Sequence, residues 1–232
     1  MADPIISIHI PKTGGTTFKE VLIAVSGNRV YFDYGDKPLS SDYRYRRLYA
    51  DLRGLLRKRK DEIPEETRFI HGHFLASKYE KRFPRARFIV WFRDPVERLI
   101  SHYHFWLREP DMDNATCRRM IIGEMSLLDF AALKEMRNVH SRFLSGKDLD
   151  TFDFIGITEE YDKSLRLFKK MFFPSIDMDF PIRNENPNRR SRSYGIDEDT
   201  RRAIMEYNRL DLDLYERARK RFDSLCGIYD VN

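Results

Sequence analysis

A seven-residue segment near the amino terminus, Pro11-Lys12-Thr13-Gly14-Gly15-Thr16-Thr17, has the composition of an anion-binding loop. Two adjacent glycines permit a tight turn that exposes backbone N–H groups, and a helix starting there adds the positive end of its dipole. Hydroxyl donors come from Thr13, Thr16 and Thr17. Because Lys12 precedes Gly14 and Gly15, the segment is not a Walker A loop. We predict a phosphate- or sulfate-binding loop, with a plain strand-to-helix turn as the alternative.

A second candidate site follows the apolar run Phe88–Phe92, which is stopped by Arg93-Asp94-Pro95. The proline favours a helix starting at that point, so Arg93 stands at a strand end and Ser101 about two turns into the helix. An arginine there can bind a phosphate through two hydrogen bonds, and the serine can donate another. The alternative is that Arg93 pairs with Asp94 or another neighbouring carboxylate.

The step His71-Gly72-His73 is the third candidate. In an extended segment, residues two apart point the same way, so both rings can face one cleft. A histidine that titrates near neutral pH suits the removal of a proton from a hydroxyl. A structural histidine is one alternative, and His9, inside the first predicted strand, is interpreted in that way.

The other alternative for these histidines is a metal site that also uses His102 and His104. Residues two apart on a helix do not share a face, which disfavours this pair as joint ligands. In addition, no cysteine or carboxylate completes a familiar metal-binding spacing. We therefore expect no metal.

The elements that must position these residues alternate along the chain. Short apolar runs predict strands over 5–10, 68–70, 87–92 and 152–157. Helical spacing predicts helices over 16–25, 43–60, 159–172 and 197–225, the last as one helix or two. The alternation predicts a single α/β domain over residues 1–232, with a P-loop-like three-layer fold and a central parallel sheet flanked by helices. Ligands bind such sheets at the carboxyl ends of the strands, where all three candidate sites fall.

Composition narrows the class of partner. The chain has 232 residues, 41% hydrophobic and 34% charged, and no apolar run approaches the ~18 residues of a membrane span. Its net charge is +5, supplied mostly by arginine, which favours anionic ligands. Nucleic acid is not an expected partner, because no nucleic-acid motif accompanies the charge. Two widely spaced cysteines, Cys117 and Cys226, predict a reduced, cytoplasmic protein.

Taken together, the first two motifs resemble those of the sulfotransferase superfamily, whose members take a sulfuryl group from 3′-phosphoadenosine 5′-phosphosulfate (PAPS). The glycine-containing segment looks like the family's 5′-phosphosulfate loop, and Arg93 with Ser101 looks like its 3′-phosphate motif. The resemblance is greatest to carbohydrate enzymes, above all heparan sulfate and uronyl 2-O-sulfotransferases. It extends to His71–Phe74 and Gly156–Glu159 and spans about residues 5–172.

The resemblance implies a role for each candidate residue. The phosphosulfate would lie against Lys12, Thr13, Gly14, Gly15, Thr16 and Thr17, and Lys12 would also be catalytic. The 3′-phosphate would be held by Arg93 and Ser101. The catalytic base would be the second histidine, His73, with His71 as the alternative. The segment 184–193 stands where relatives close a basic loop over the nucleotide, so Arg189 and Arg190 would contact phosphate, although the loop sequence differs from theirs.

The implied reaction is sulfuryl transfer to an acceptor hydroxyl, on a carbohydrate or a small molecule. Two other functions fit parts of the sequence. A small-molecule kinase of the P-loop type shares the fold class but needs a lysine after the glycines. A non-catalytic module that binds nucleotides or nucleic acid would use the basic surface alone and would bind with a steep salt dependence. The sequence does not predict an oligomeric state.

Overall fold

A computed structural model describes residues 3–44, 63–175 and 195–231. Its centre is a sheet of five parallel strands in the order β2-β3-β1-β4-β5. The strands are β1 (Ile5–Ile8), β2 (Val30–Asp33), β3 (Phe69–Gly72), β4 (Phe88–Phe92) and β5 (Phe154–Ile157). Every residue of β3, β4 and β5 is buried, as expected for parallel strands that helices cover on both faces.

The described helices connect and cover these strands. They are α1 (Gly15–Ser26), α2 (Ser77–Glu80), α3 (Pro95–Arg108), α4 (Ala115–Ile122), α5 (Leu127–Ala132), α6 (Val139–Leu144), α7 (Tyr161–Phe172), α8 (Glu198–Tyr207) and α9 (Arg209–Ile228). Within the described ranges, no helix combines the length and the apolar character needed to cross a bilayer.

Aromatic side chains join the sheet to the helices. On one face, Phe18 of α1 lies 5.0 Å from Phe168 of α7, between ring centroids, and 5.1 Å from Trp91 of β4. The next residue of β4, Phe92, points to the opposite face, where its ring lies 5.2 Å from that of His140 of α6. The sheet is therefore a central layer between two helical layers, and the predicted α/β class is confirmed.

Most predicted elements are present, with shifted ends. The helix at Pro95 begins where predicted, because Asp94 accepts a hydrogen bond from Glu97 N and proline stands at the first helical position. The carboxyl-terminal helix is divided at Asn208 into α8 and α9. Strand β2 and helices α2, α4, α5 and α6 were not predicted. The helix predicted over 43–60 lies almost entirely outside the described residues.

The strand order creates one opening at the carboxyl edge of the sheet. Strand β1 lies between β3 and β4; the chain leaves β1 towards β2 on one side and leaves β4 towards β5 on the other. Connections that diverge in this way leave a crevice above the two strands, which is where open α/β sheets bind ligands. Lys12, Arg93 and His73 follow β1, β4 and β3 at this edge.

Candidate active site

The loop between β1 and α1 has the backbone geometry of an anion site. Lys12 (φ 72°) and Gly14 (φ 82°) adopt the left-handed conformation, which is uncommon for a residue with a side chain such as lysine. Helix α1 begins at Gly15 with no side chain capping its amino terminus and no acidic residue in its first turn. The positive end of a twelve-residue helix therefore faces the loop, where an anion is stabilised.

Hydrogen bonds from three elements hold this loop in shape. The Thr13 hydroxyl donates to Ile10 O (2.9 Å), so its hydrogen is used within the loop. Thr158 Oγ1, just past β5, lies 3.0 Å from Thr13 O and 2.8 Å from Phe92 O, and its one hydrogen is shared between these carbonyls. Tyr161 of α7 donates to Gly14 O (3.2 Å). Sequence reasoning did not assign a role to Thr158 or Tyr161.

Lys12 and Arg93 meet across the crevice. The Arg93 guanidinium donates to Lys12 O (3.3 Å) and is 7% exposed, so it fixes the strained residue of the loop from the β4 side. The Lys12 ammonium lies 4.1 Å from the centroid of the Phe105 ring on α3, a cation–π contact. Phe105 thus helps to hold the Lys12 side chain on the α3 side of the crevice.

Arg93 and Ser101 are brought to the same part of α3. Arg93 Nη2 lies 3.8 Å from Glu97 Oε2, so the neighbouring carboxylate is Glu97 rather than Asp94, which caps the helix. Ser101 is one further turn along that face and 8% exposed. A phosphate bound here would meet the guanidinium and the hydroxyl together, while Glu97 orients the guanidinium.

Three histidine rings, those of His9, His71 and His73, form a cluster beside the loop. The His9 ring lies 5.1 Å from the His71 ring and 4.3 Å from the His73 ring, between centroids. His71 is 1% exposed, and its Nδ1 is 2.8 Å from Ser7 Oγ. Burial, followed by the nearby His73, lowers the pKa of His71 to about 3. His71 is thus buried between the sheet and α1 and has no surface on which to meet an acceptor.

His73 is partly exposed, and its tautomer is defined by its surroundings. Its Nδ1 lies 2.6 Å from His9 O. A carbonyl only accepts hydrogen bonds, so Nδ1 carries the hydrogen and the lone pair of the neutral ring is on Nε2. Burial lowers the pKa of His73 to about 4, despite this hydrogen bond. Burial therefore moves the titration of this ring below the near-neutral range expected from the sequence, and the ring is neutral at physiological pH with its lone pair on Nε2.

Sequence reasoning gave no site role to His9, in this cluster, or to Tyr34, beside it. His9 was interpreted as a structural residue of the first strand, yet its ring lies between the other two histidines. Its Nδ1 is 3.1 Å from the hydroxyl of Tyr34, which follows the unpredicted strand β2. The Tyr34 ring stands edge-on to the His73 ring at 4.8 Å, and burial raises its pKa to about 12. A recognised β2 would have placed Tyr34 at the carboxyl edge.

The remaining candidates lie elsewhere. His102 packs against Trp106, with centroids 4.3 Å apart, and its Nδ1 is 3.5 Å from the buried Arg98 guanidinium. Among the described residues, no three His, Cys, Asp or Glu side chains are grouped as metal ligands. Trp106 is 5% exposed, and the Tyr103 hydroxyl donates to Met125 O, so both aromatic residues belong to the helical layer. Arg189 and Arg190 lie outside the described residues.

Gly15 should tolerate no side chain. A Cβ at this position would lie 1.9 Å from His9 Nε2, so the ring or the loop would have to move. We expect Gly15→Ala to destabilise the fold by about 1–3 kcal/mol, as overpacking does, and to weaken anion binding. Gly35→Ala is the control, because a Cβ there has no neighbour within 4 Å. Urea unfolding of both variants checks this, and equal stabilities would contradict the contact with His9.

A comparison with family models now identifies the class of protein. Residues 2–216 match the model of the sulfotransferase family, which covers most of the chain. The chain therefore belongs to the sulfotransferase family, and it is a sulfuryl-transferring enzyme. A search of curated proteins gave no match.

Several solved structures are similar to this chain at low sequence identity. A sulfotransferase from Alicyclobacillus acidocaldarius is 15% identical with a TM-score of 0.49, covering 98% of this chain and 97% of its own. Mouse sulfotransferase SULT7A1 complexed with PAP is 16% identical with a TM-score of 0.40, covering 76% and 60%. A putative steroid sulphotransferase from Arabidopsis thaliana is 15% identical with a TM-score of 0.37, covering 99% and 77%.

Proposed function

We propose that this protein transfers the sulfuryl group of PAPS to a hydroxyl of a carbohydrate. One observation carries the proposal: Arg93, at the end of β4, donates to the backbone of the loop that follows β1, at Lys12 O. This contact puts a buried guanidinium against an uncapped helix amino terminus in a single crevice. A nucleotide with phosphates at both its 5′ and its 3′ positions needs two adjacent anion sites of this kind.

The loop and α3 would bind the two ends of the donor. Backbone N–H groups from Gly14 to Thr17, with the exposed Thr16 hydroxyl, would hold the phosphosulfate at the start of α1. Arg93 and Ser101 would hold the 3′-phosphate, the guanidinium in two-pronged form. Arg189 and Arg190 remain proposed phosphate contacts from the sequence alone.

The transfer itself requires positioning, charge stabilisation and a base. PAPS supplies an activated sulfuryl group joined to phosphate through a bridging oxygen. Lys12 would stabilise the negative charge that develops on that oxygen as its bond to sulfur breaks. His73 Nε2 would take the proton from the acceptor hydroxyl as its oxygen attacks sulfur in line, and would then release it to solvent. The His9 carbonyl holds the opposite ring nitrogen, so the lone pair keeps its direction through the step.

We propose further that the acceptor is a carbohydrate and that the enzyme is cytoplasmic. The acceptor rests on the resemblance to 2-O-sulfotransferases, in which the second histidine of the pair is the base. The location rests on two cysteines, both free and buried in the structure. Transfer of radiolabelled sulfate from PAPS to a heparan-type polysaccharide, to a simple sugar and to a phenol compares acceptor classes. Labelling of the phenol alone would overturn the carbohydrate proposal.

Donor recognition is tested by titration with 3′-phosphoadenosine 5′-phosphate (PAP), AMP, ATP and single-stranded DNA. We expect PAP to bind at least ~10-fold more tightly than AMP, because a charge-assisted contact contributes about 1.5–3 kcal/mol. Arg93→Ala should remove most of that preference. A kinase would prefer ATP, and a nucleic-acid module would prefer DNA with a steep salt dependence.

Arg87→Ala is the matched control for Arg93→Ala. Arg87 precedes β4 at the opposite end of the same strand, where its Nε donates to Asp153. Its loss should leave nucleotide affinity unchanged. If PAP and AMP bind equally well to the unmodified protein, the 3′-phosphate site does not exist.

A further inference from the structure

We propose that His9 and Tyr34 are positioning residues that hold the base His73 against the donor loop, so that the base and the phosphosulfate keep a fixed separation. This inference rests on the proposed function and adds two residues to it. The side chain of His9, rather than its carbonyl alone, makes the connection between the two parts of the site.

Contacts on each edge of the His9 ring support this role. Its Nε2 edge lies against the first residue of α1, since a Cβ added to Gly15 would be 1.9 Å from that atom. One side of the ring packs on the His73 ring at 4.3 Å. Its Nδ1 is 3.1 Å from the Tyr34 hydroxyl, which orients the ring. One imidazole thus contacts the loop, the base and the end of β2 together.

Tyr34 completes the enclosure of the base. Its ring stands edge-on to His73 at 4.8 Å, nearly perpendicular, and edge-on to His9 at 5.8 Å. Phe143 of α6 meets His73 from a third direction, at 6.4 Å. Rings on three sides leave His73 few rotamers, so its Nε2 points in a defined direction. Packing of this density transmits the position of one side chain to the next.

The electrostatics of the cluster favour packing over proton transfer through His9. Burial, followed by Coulombic repulsion from His73, His71 and Lys12 when they are protonated, holds the pKa of His9 well below its ordinary value, so the ring is neutral. Three other titratable groups face the cluster: Tyr34, Lys19 and His102. Lys19 of α1 lowers the pKa of His71, and His73 lowers the pKa of His102 of α3, both by Coulombic repulsion. A neutral ring with one oriented nitrogen is suited to fixing its neighbours.

The experiment compares His9→Ala, Tyr34→Phe and the double variant His9→Phe/Tyr34→Phe. His9→Ala removes the ring between loop and base, so we expect turnover with PAPS to fall by ~10- to 100-fold, the cost of a misplaced reacting group. Affinity for PAP should change less than about threefold, because the loop backbone and Arg93 remain. The double variant keeps an aromatic ring at both positions. Because it removes both the His9 nitrogen and the Tyr34 hydroxyl, no buried polar group loses its partner, and most of the lost turnover should be recovered.

A readout independent of activity is the titration of the His73 ring followed by NMR. Its pKa is lowered to about 4 by burial, so opening the enclosure with His9→Ala should raise it by at least about one unit towards 6.5. Tyr34→Phe, which keeps the ring, should leave it unchanged. Because this measurement needs no acceptor, it holds even if the unmodified protein transfers no sulfuryl group, an outcome that would refute the proposed function alone.

The activity measurement and the pKa measurement each have a result that would contradict the proposal. If the double variant is as stable in urea as the unmodified protein and yet as inactive as His9→Ala, a nitrogen of His9 is required and the packing role is wrong. An unchanged His73 pKa in His9→Ala would mean that His9 does not enclose the base. If His9→Ala does not fold, Tyr34→Ala takes its place, with the same expected rise in the His73 pKa and Tyr34→Phe as its control.

Discussion

Replacing His73 by alanine should lower turnover by ~10²- to 10⁴-fold, the usual contribution of a general base. The structure provides the reason, because the ring is partly exposed at the carboxyl edge and its lone pair is on Nε2. Affinity for PAP should stay within a few-fold of the unmodified value, since Arg93 and the loop amides are untouched. Steady-state kinetics and calorimetric titration measure the two quantities separately.

His71→Ala is the control that separates a base from a structural histidine. His71 is 1% exposed, hydrogen-bonded to Ser7 and packed against Phe18 of α1, so its truncation leaves a cavity between the sheet and α1. We expect a loss of about 2–4 kcal/mol of stability, as for other large-to-small changes in a core, and a smaller effect on turnover. Full activity in His73→Ala together with lost activity in a folded His71→Ala would move the base to His71.

The pH dependence of kcat/KM gives a second test of the base. Only the neutral ring can accept a proton, and burial lowers its pKa to about 4 in the folded protein. Activity should therefore be constant from about pH 8 to about pH 5.5 and fall as the pH drops through the folded pKa. A midpoint near 6.5, the value of an unperturbed histidine, would show that His73 is solvated in the working enzyme.

Local patterns in the sequence were sufficient to predict those elements whose apolar run and terminating residues indicate the same boundaries. Strand β4 is a continuous apolar run closed by an N-cap aspartate and a proline, and each of these signals acts within a few residues. The glycine-containing loop was recognisable for the same reason. Strand β2 was missed because its burial is incomplete and its run, Val-Tyr-Phe-Asp, gives little alternation.

Contacts between segments far apart in the sequence could not be predicted from local patterns. The contact of His9 with Tyr34 depends on the position of β2 in the sheet, which no spacing in the sequence specifies. The different surroundings of His71 and His73 likewise follow from Ser7 on the neighbouring strand and from the end of β3. The lowered pKa of His73 could not be predicted from the sequence for the same reason, because desolvation depends on which side chains surround the ring in the fold.

Removing the charge of Lys12 should affect catalysis more than binding. Lys12→Met keeps most of the side-chain length and places another non-glycine residue at φ 72°, so it changes the charge with little change in backbone strain. If the ammonium acts mainly on the charge that develops during transfer, turnover should fall by ~10²- to 10³-fold, the cost of one preorganised donor. Affinity for PAP should fall by less than about tenfold.

The cation–π contact supplies the matched control for Lys12. The Lys12 ammonium lies 4.1 Å from the Phe105 centroid, which holds the charge on the α3 side of the crevice. Phe105→Leu keeps an apolar surface there but removes the ring, and a contact of this type between partly exposed side chains contributes about 1 kcal/mol. Its effect on turnover should thus be no more than about fivefold, far below that of Lys12→Met. A Lys12→Met enzyme with normal turnover would exclude charge stabilisation by this residue. Equal losses in turnover and in PAP affinity would instead show that Lys12 binds the phosphate in the ground state.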